Sequence, residues 1–180
     1  YLSVFTWAIV TFGWEPFLMA AAIDEARFDR ILEGFTRITE QVVAAHLRAE
    51  IPVFLCHDDL VWTSGAPFRP SWYRQYVLPR YERLWRPLKE AGVKILFCCD
   101  GDFTELAGDL AEAGADGFIF EPYTRLETLV ARFGRTHVLI GNIDTRILTF
   151  GKPEQIRAEG RRCAELGRPC PGYFFAVGNH

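Results

Sequence analysis

Runs of apolar residues about as long as a β-strand alternate along the chain with longer stretches in which apolar residues recur at helical spacing. These runs lack the apolar-polar alternation of a sheet with one wet face, so they are typical of parallel strands covered by helices on both faces. We therefore predict strands at residues 2–10, 52–56, 93–98, 117–120, 137–140 and 172–177.

Five helices are predicted between these strands. Apolar positions that share one stripe predict a helix over residues 25–49, and Asp24 is placed to be its N-cap. A second helical pattern covers residues 71–90. It contains Pro79 and Pro87, which should kink or split the helix because proline cannot donate the backbone hydrogen bond.

The remaining three helices are predicted from their start signals. Asp102 and Thr124 each stand three residues before a glutamate, which is the capping-box pattern of a helix N-terminus. The helix after Asp102 should end near Gly114, which can adopt a left-handed cap conformation. The fifth helix should begin near Pro153 and end before Gly167.

Strands that alternate with helices leave two main architectures, a doubly wound open sheet and a (β/α)8 barrel. No G-x-G-x-x-G segment follows any predicted strand, so a dinucleotide-binding open sheet has no support. Six strands and five helices would be three quarters of a barrel. We therefore predict one α/β domain over residues 1–180, an incomplete (β/α)8 TIM-type barrel.

Polar side chains concentrate after the C-terminal ends of the predicted strands, where barrel enzymes carry their active sites. The opposite ends of the strands look like simple turns. This asymmetry predicts an enzyme whose site is built from strand ends. The candidate residues are His57, Asp58, Asp59 and Trp62 after the second strand, Cys98 and Asp100 after the third, Glu121 after the fourth, Asn142, Asp144 and Arg146 after the fifth, and His180 after the sixth.

Several of these residues also have a structural interpretation. Asp58 or Asp59 can cap a loop, and Asp102 can simply cap a helix. Cys98 can be a small core residue, which is the commoner fate of a free cysteine. Most tryptophans belong to cores by default, but Trp62 stands in the loop after the second strand and can line a pocket.

Composition and charge limit the classes of protein to which this chain can belong. A net charge of −3 argues against general nucleic-acid binding, and the longest apolar stretches are broken well short of a membrane span. Five cysteines without a C-x-x-C pair argue against both a disulfide framework and a structural zinc knuckle. A cytoplasmic protein is expected. The chain lacks an initiator methionine, and both ends look cut, which predicts a fragment of a longer protein.

Four segments resemble the uroporphyrinogen decarboxylase superfamily, in the right order and over nearly the whole chain. Residues 53–81 resemble its strand, loop and helix, and residues 97–102 (FCCDGD) resemble its next strand end. Residues 141–146 (GNIDTR) are similar to its GN(I/L)D segment, and residues 172–180 to its last strand. The resemblance implies that two N-terminal strands and the last helix of the barrel are absent from this chain.

Two chemistries occur in this superfamily. Uroporphyrinogen decarboxylases remove acetate carboxyl groups from a tetrapyrrole without metal or cofactor, and their relatives transfer methyl groups to or from corrinoid proteins or thiols. Several relatives hold zinc through a His-x-Cys pair and a later cysteine. The matching positions here are Cys98 and Asp100, with Asn179 or His180 after the last strand, so the usual ligand pattern is altered. Thiolate, carboxylate and imidazole are nevertheless all accepted zinc ligands.

Charge favours methyl transfer over decarboxylation, because acidic residues outnumber basic ones at the strand ends and would repel a polyanionic tetrapyrrole. Our lead hypothesis is metal-assisted methyl transfer or demethylation of a small substrate, with a corrinoid protein as partner or a thiol as acceptor. It assigns metal ligation to Cys98, Asp100 and His180, and catalysis to Asp58, Asp59, Asp144 and Arg146. Substrate binding is assigned to His57, Trp62, Glu121 and Asn142.

Two alternatives stay open. The first is decarboxylation of a uroporphyrinogen-type tetrapyrrole, with Asp144 and Arg146 supporting the site and no cofactor. The second is a non-catalytic barrel that binds a ligand or a corrinoid protein. A homodimer is compatible with either. A barrel short of two strands exposes sheet edges, so we expect the isolated chain to be unstable or to associate.

Overall fold

A computed structural model of the chain describes residues 3–177. They contain one parallel sheet of five strands, in the spatial order β1-β2-β3-β4-β5. The strands are Val53–His57 (β1), Lys94–Cys99 (β2), Gly117–Phe120 (β3), Val138–Ile143 (β4) and Tyr173–Val177 (β5).

Helices connect the strands of this sheet. Within residues 3–177 they are Val4–Phe12 (α1), Trp14–Ile23 (α2), Glu25–Arg48 (α3), Pro70–Tyr76 (α4), Leu78–Glu90 (α5), Ala107–Ala113 (α6), Leu126–Phe133 (α7), Thr145–Phe150 (α8) and Pro153–Gly167 (α9). Each strand pairs with the next strand along the chain, and the order never reverses. A doubly wound sheet requires such a reversal, so the wall is that of an incomplete (β/α)8 barrel.

The predicted strand at residues 2–10 is wrong, because the structure has helix α1 there. An apolar run alone does not separate a buried strand from a buried helix. Val4, Phe5, Ala8 and Ile9 are all buried, at helical spacing. Helix α1 ends at Gly13, whose φ of +83° suits glycine, and the unpredicted helix α2 follows. The described sheet therefore has five strands instead of six.

Two predicted helices agree closely with the structure. Helix α3 is confirmed, and the Asp24 side chain caps it by accepting a hydrogen bond of 3.0 Å from the Arg27 N–H. Helix α9 begins at Pro153, as predicted, and runs through Gly167. The predicted helix at 71–90 is split into α4 and α5 just before Pro79.

Both predicted capping boxes are wrong. Helix α6 begins at Ala107, and Asp102 instead accepts a hydrogen bond of 3.0 Å from the Thr104 N–H in a turn before the helix. Helix α7 begins at Leu126, and the Thr124 hydroxyl bonds to the backbone of Gly101 and Phe103. The short helix α8, which has no buried residue, was not predicted.

The open edges of the sheet carry exposed apolar side chains. Among the described residues, β1 and β5 each pair with a strand on one side only. Val53 and Leu55 on β1 and Phe174, Phe175 and Val177 on β5 are exposed. A closed barrel would cover both edges.

In residues 3–177 no single helix has the length and apolar character needed to cross a membrane. Helices α1 and α2 meet that requirement only as a pair, and a bend of 111° separates them.

Candidate active site at the strand ends

The polar residues at the ends of β1 and β2 are divided between the two faces of the sheet. Successive side chains on a strand point to opposite faces. Along β1, Phe54 and Cys56 are buried against the helices, while Leu55 and His57 point to the barrel interior. His57 is paired in register with Cys98 of β2, so these two side chains point to the same interior face.

His57, Cys98 and Asp100 form a compact cluster at the ends of β1 and β2. Their potential ligand atoms, an imidazole nitrogen, a thiol sulfur and a carboxylate oxygen, all lie within 4.8 Å of one another. Each is an accepted ligand of zinc and of other first-row metals. The donor set therefore fits a divalent cation, and it includes two of the three metal ligands predicted from the sequence. The third, His180, lies outside the described residues.

Asp59 orients this cluster. Its Oδ1 lies 3.2 Å from His57 Nε2 and accepts a hydrogen bond of 3.0 Å from the Asp100 N–H. The hydrogen bond to Asp59 raises the pKa of His57, and burial partly opposes this shift. In the tautomer of His57 that donates this hydrogen bond to Asp59, Nε2 carries the hydrogen and the neutral ring keeps a lone pair on Nδ1. A carboxylate that accepts from one imidazole nitrogen and leaves the other nitrogen for the metal is a usual second-shell arrangement of a histidine ligand.

The Cys98 side chain is 8% exposed. Burial raises its pKa to about 12, and the carboxylates of Asp100 and Asp59 add to the shift because they disfavour a neighbouring negative charge. A divalent cation would reverse this balance, since it stabilises the thiolate and relieves the repulsion between the acidic groups.

Asp58 lies beneath the cluster, on the helix-facing side. It is fully buried, and its carboxylate accepts hydrogen bonds from the Phe5 N–H at 3.0 Å, the Thr6 N–H and the Tyr81 hydroxyl at 2.6 Å. Burial raises the pKa of Asp58, and these donors oppose the shift. Asp58 thus caps helix α1 from a distant loop. This placement favours the capping role over the catalytic role proposed from the sequence.

Asp144 and Arg146 lie in a separate cleft of about 310 Å³ beyond β4. Asp144 caps α8 through the Arg146 N–H at 2.8 Å and forms an ion pair of 2.7 Å with the Arg146 guanidinium. The hydrogen bond from Arg146 lowers the pKa of Asp144. The guanidinium also stands 5.3 Å from the centre of the Tyr123 ring. Two of the four predicted catalytic residues, Asp144 and Arg146, therefore pair with each other in a cleft whose lining includes no residue of the cluster.

Asn142 lines this cleft and bonds to the loop after β3. It is 1% exposed; its Nδ2 donates to the Thr124 carbonyl at 2.9 Å, and its Oδ1 accepts from Arg162 at 3.0 Å. Arg162 also forms an ion pair of 2.8 Å with Glu159. The predictions from sequence missed Arg162, Glu159 and Thr124. Thr124 follows the end of β3, which is where site residues are expected in a barrel. Its capping-box spacing, however, predicted a helix start instead.

The two remaining predicted substrate-binding residues differ in environment. Trp62 is 47% exposed, and its ring centre lies 6.2 Å from that of Trp14, so it offers an aromatic surface above the ends of β1 and β2. Glu121 follows β3, is partly buried, and adds to the negative potential that raises the pKa of Cys98.

Known proteins resemble this chain in both sequence and fold. The model of the uroporphyrinogen decarboxylase (URO-D) family matches residues 3–180. A uroporphyrinogen decarboxylase from Nocardia farcinica is 32% identical over 161 residues, which cover 87% of this chain and 44% of that protein. One from Thermus thermophilus is 31% identical over 156 residues, with the same two coverages. The chain thus spans less than half the length of these relatives.

Among solved structures, a methyltransferase from Methanosarcina mazei superposes with a TM-score of 0.68 at 17% identity. The match covers 90% of this chain and 47% of that protein, and at this identity it shows a common fold. Together with the match over residues 3–180, it confirms the resemblance found in the sequence. The chain belongs to the uroporphyrinogen decarboxylase (URO-D) family.

Proposed function

We propose that this chain is part of an enzyme that performs metal-assisted methyl transfer, with zinc held by His57, Cys98 and Asp100. The observation that carries the proposal is the approach of three different ligand types to within 4.8 Å on the interior face of the sheet. His57 supplies the imidazole within the described residues, where the sequence had suggested His180. The similarity in fold to a methyltransferase is compatible with this activity.

Zinc bound in such a site would act as a Lewis acid that activates a thiol acceptor or polarises the substrate. The residues around it have separate tasks. Asp59 holds the hydrogen of His57 Nε2 and fixes the ring, and its bond to the Asp100 N–H fixes the start of the turn after β2. Trp62 and Glu121 would line the substrate side, with Asn142 behind them.

The charge of the site suggests the class of substrate. Asp59 and Glu121 add negative charge beside the cluster, which itself contains Asp100, whereas Arg146 is paired with Asp144 in the neighbouring cleft. An acidic interior face would attract a cationic or neutral methyl donor and repel a polyanion. The proposed substrate is therefore a small methylated compound, and the methyl acceptor is a thiol or a corrinoid carried on a partner protein.

Metal content tests the proposal first. The full-length protein, purified without chelator, should contain close to one zinc per chain by elemental analysis, and Cys98→Ala should lose it. Cys170→Ala is the matched control, because both thiols are 8% exposed and Cys170 lies outside the cluster. Equal zinc in both variants, or no zinc in the unaltered protein, would refute the ligand assignment.

Activity tests the reaction. Small neutral and cationic methylated compounds would be incubated with the metal-loaded enzyme and either a thiol or a corrinoid protein, and the methylated acceptor would be measured by mass spectrometry. Transfer that depends on Asp100 is expected. A zinc-loaded protein that methylates neither type of acceptor with any donor would contradict methyl transfer.

A second candidate is decarboxylation of the acetate side chains of uroporphyrinogen without a cofactor. The observation that favours it is the name shared by relatives that are 31–32% identical. In this case Asp144 and Arg146 would support the site. Incubation with uroporphyrinogen and analysis of the carboxyl groups tests it, and unchanged substrate would exclude it. A folded protein with neither activity would point to a binding role.

A further inference from the structure

The turn after β2 is held from two sides. On one side, Gly101 packs against the backbone of Trp62, and the Asp102 N–H donates a hydrogen bond of 2.9 Å to the Trp62 carbonyl. On the other side, the Thr124 hydroxyl donates to the Gly101 carbonyl at 2.9 Å and accepts from the Phe103 N–H at 3.1 Å. Asp100 is the residue immediately before this clamp.

Thr124 is fully buried, and a chain of hydrogen bonds fixes it in turn. Its carbonyl accepts from Asn142 Nδ2, and Asn142 Oδ1 accepts from Arg162, whose guanidinium is paired with Glu159 on helix α9. The turn that carries Asp100 is thus connected through β3 and β4 to the outer helix layer. The hydrogen bonds of the Thr124 hydroxyl do not cap helix α7, which begins at Leu126.

We infer that Thr124 is a positioning residue for the metal cluster: its hydroxyl holds the Gly101–Phe103 turn, and thereby sets the place of Asp100 relative to His57 and Cys98. The inference rests on the proposed metal site. The hydroxyl is required as donor and acceptor at once, since each partner is a backbone group of a buried turn. Valine has nearly the same shape but can satisfy neither group, whereas serine can satisfy both.

The test compares Thr124→Val and Thr124→Ser with a matched control, Thr36→Val. Thr36 is also fully buried and donates to a backbone carbonyl, that of Leu32 at 2.7 Å, but within helix α3. Zinc affinity would be measured by competition with a chromophoric chelator, and Co²⁺ would report the ligand geometry through its visible spectrum. Proton exchange at the Phe103 amide would be followed in the metal-free protein.

Thr124→Val should weaken metal binding about 10-fold, the lower end of the range for losing a group bonded to a ligand, because Thr124 holds the turn beside Asp100 and not a ligand itself. It should also alter the Co²⁺ spectrum and speed exchange at Phe103. Thr124→Ser and Thr36→Val should keep the affinity of the unaltered protein within about threefold, well under the range for a second-shell loss. Unchanged affinity in Thr124→Val, or an equal loss in Thr36→Val, would overturn the inference.

The outcomes separate the two proposals. If the unaltered protein binds no metal, the proposed function fails, and the positioning role fails with it. If it binds metal and Thr124→Val binds equally well, only the positioning role fails. Should Thr124→Val not fold, Arg162→Met removes the outer end of the same chain of hydrogen bonds from a partly exposed position. A weaker affinity in that variant would support the inference, and an unchanged one would overturn it.

Discussion

Gly101 allows a direct test of how the turn after β2 is built. Its φ is +91°, and a Cβ added there would lie 2.4 Å from the Trp62 carbonyl oxygen and 2.7 Å from its carbon. Neither atom belongs to a flexible side chain that can move aside. Gly92 is the matched control, because its φ is +76° and an added Cβ would meet nothing within 4 Å. Both positions strain an alanine backbone, but only Gly101 adds the collision.

The magnitudes follow from these two costs. A left-handed conformation costs an alanine roughly 1–2 kcal/mol, and this applies to both variants. At Gly101 the Trp62 backbone must also move, which breaks the hydrogen bond from the Asp102 N–H. Leaving this amide of the half-buried Asp102 without its partner costs about 1–3 kcal/mol more. Gly101→Ala should therefore lower the free energy of unfolding by about 2–5 kcal/mol, against about 1–2 kcal/mol for Gly92→Ala.

Urea denaturation of the full-length variants, followed by far-UV circular dichroism and by tryptophan fluorescence, measures both free energies. Metal affinity provides the second readout: it should fall in Gly101→Ala, because Asp100 moves with the turn, and stay constant in Gly92→Ala. Equal destabilisation of the two variants would show that the Trp62 backbone does not restrain Gly101. A destabilised Gly101→Ala with unchanged metal affinity would separate the turn from the cluster.

Three further predictions concern the cap, the outer ion pair and the sheet edges. Asp58→Asn should lower the free energy of unfolding by about 2 kcal/mol or more, because an amide cannot accept from all three buried donors. Asp24→Asn, at an exposed cap, should lower it by only a few tenths of a kcal/mol. Urea denaturation measures both free energies. The hydrogen bond from the Arg162 guanidinium lowers the pKa of Glu159. The ionised Glu159 should therefore stabilise the fold fully above its ordinary pKa of 4.5, and this stabilisation should be lost as pH falls through the lower folded pKa. Glu159→Gln should flatten this part of the plot of unfolding free energy against pH. The 180-residue chain alone should associate through its open edges, and sedimentation should show less association in Phe174→Lys, on β5, than in Phe150→Lys, which replaces an exposed side chain on α8.

The order of strands and helices was predictable from the sequence, except for α1, which was predicted as a strand, and for helices α2 and α8, which were not predicted. The apolar runs at β1 to β5 are bounded by turns and separated by clear helical stripes, so their order predicts a parallel sheet. Residues 4–12 carry an equally apolar run, whose helical period distinguishes it from a strand. The carboxylate that caps this helix belongs to Asp58, more than 50 positions away. Local start signals cannot reveal a cap supplied by a distant loop.

The two capping boxes failed for a related reason. Asp102 and Thr124 have side chains that can bond to a nearby helix start or to any other backbone group within reach. In the folded chain, Asp102 bonds within its own turn, and Thr124 bonds across to the turn at Gly101. The choice between local and distant partners depends on where β2 and β3 bring these turns together, which the spacing of residues along the chain does not contain.

The neighbouring acids Asp58 and Asp59 show how far the candidate site was predictable. Both follow β1, and their neighbouring positions in the sequence give them the same candidate roles. The two-residue period of the strand nevertheless continues past its end: Phe54, Cys56 and Asp58 are buried on the helix side, while Leu55 and His57 face the interior and Asp59 bonds to His57. In β2 the same period separates Cys98, which faces His57, from the fully buried Cys99. Period alone could thus have placed Asp58 on the helix-facing side of the sheet and Asp59 on the interior side.

Period cannot, however, choose the metal ligands. His57 joins Cys98 and Asp100 only because β1 and β2 are paired with His57 opposite Cys98; a shift of one residue would turn every side chain of β1 to the other face. That register is fixed by the burial of Phe54 and Cys56 against the helices, and the buried carboxylate of Asp58 extends it by binding both helix α1 and Tyr81. The packing of the helix-facing side therefore determines which side chains meet on the interior side, and the proposed chemistry depends on residues that never contact the substrate.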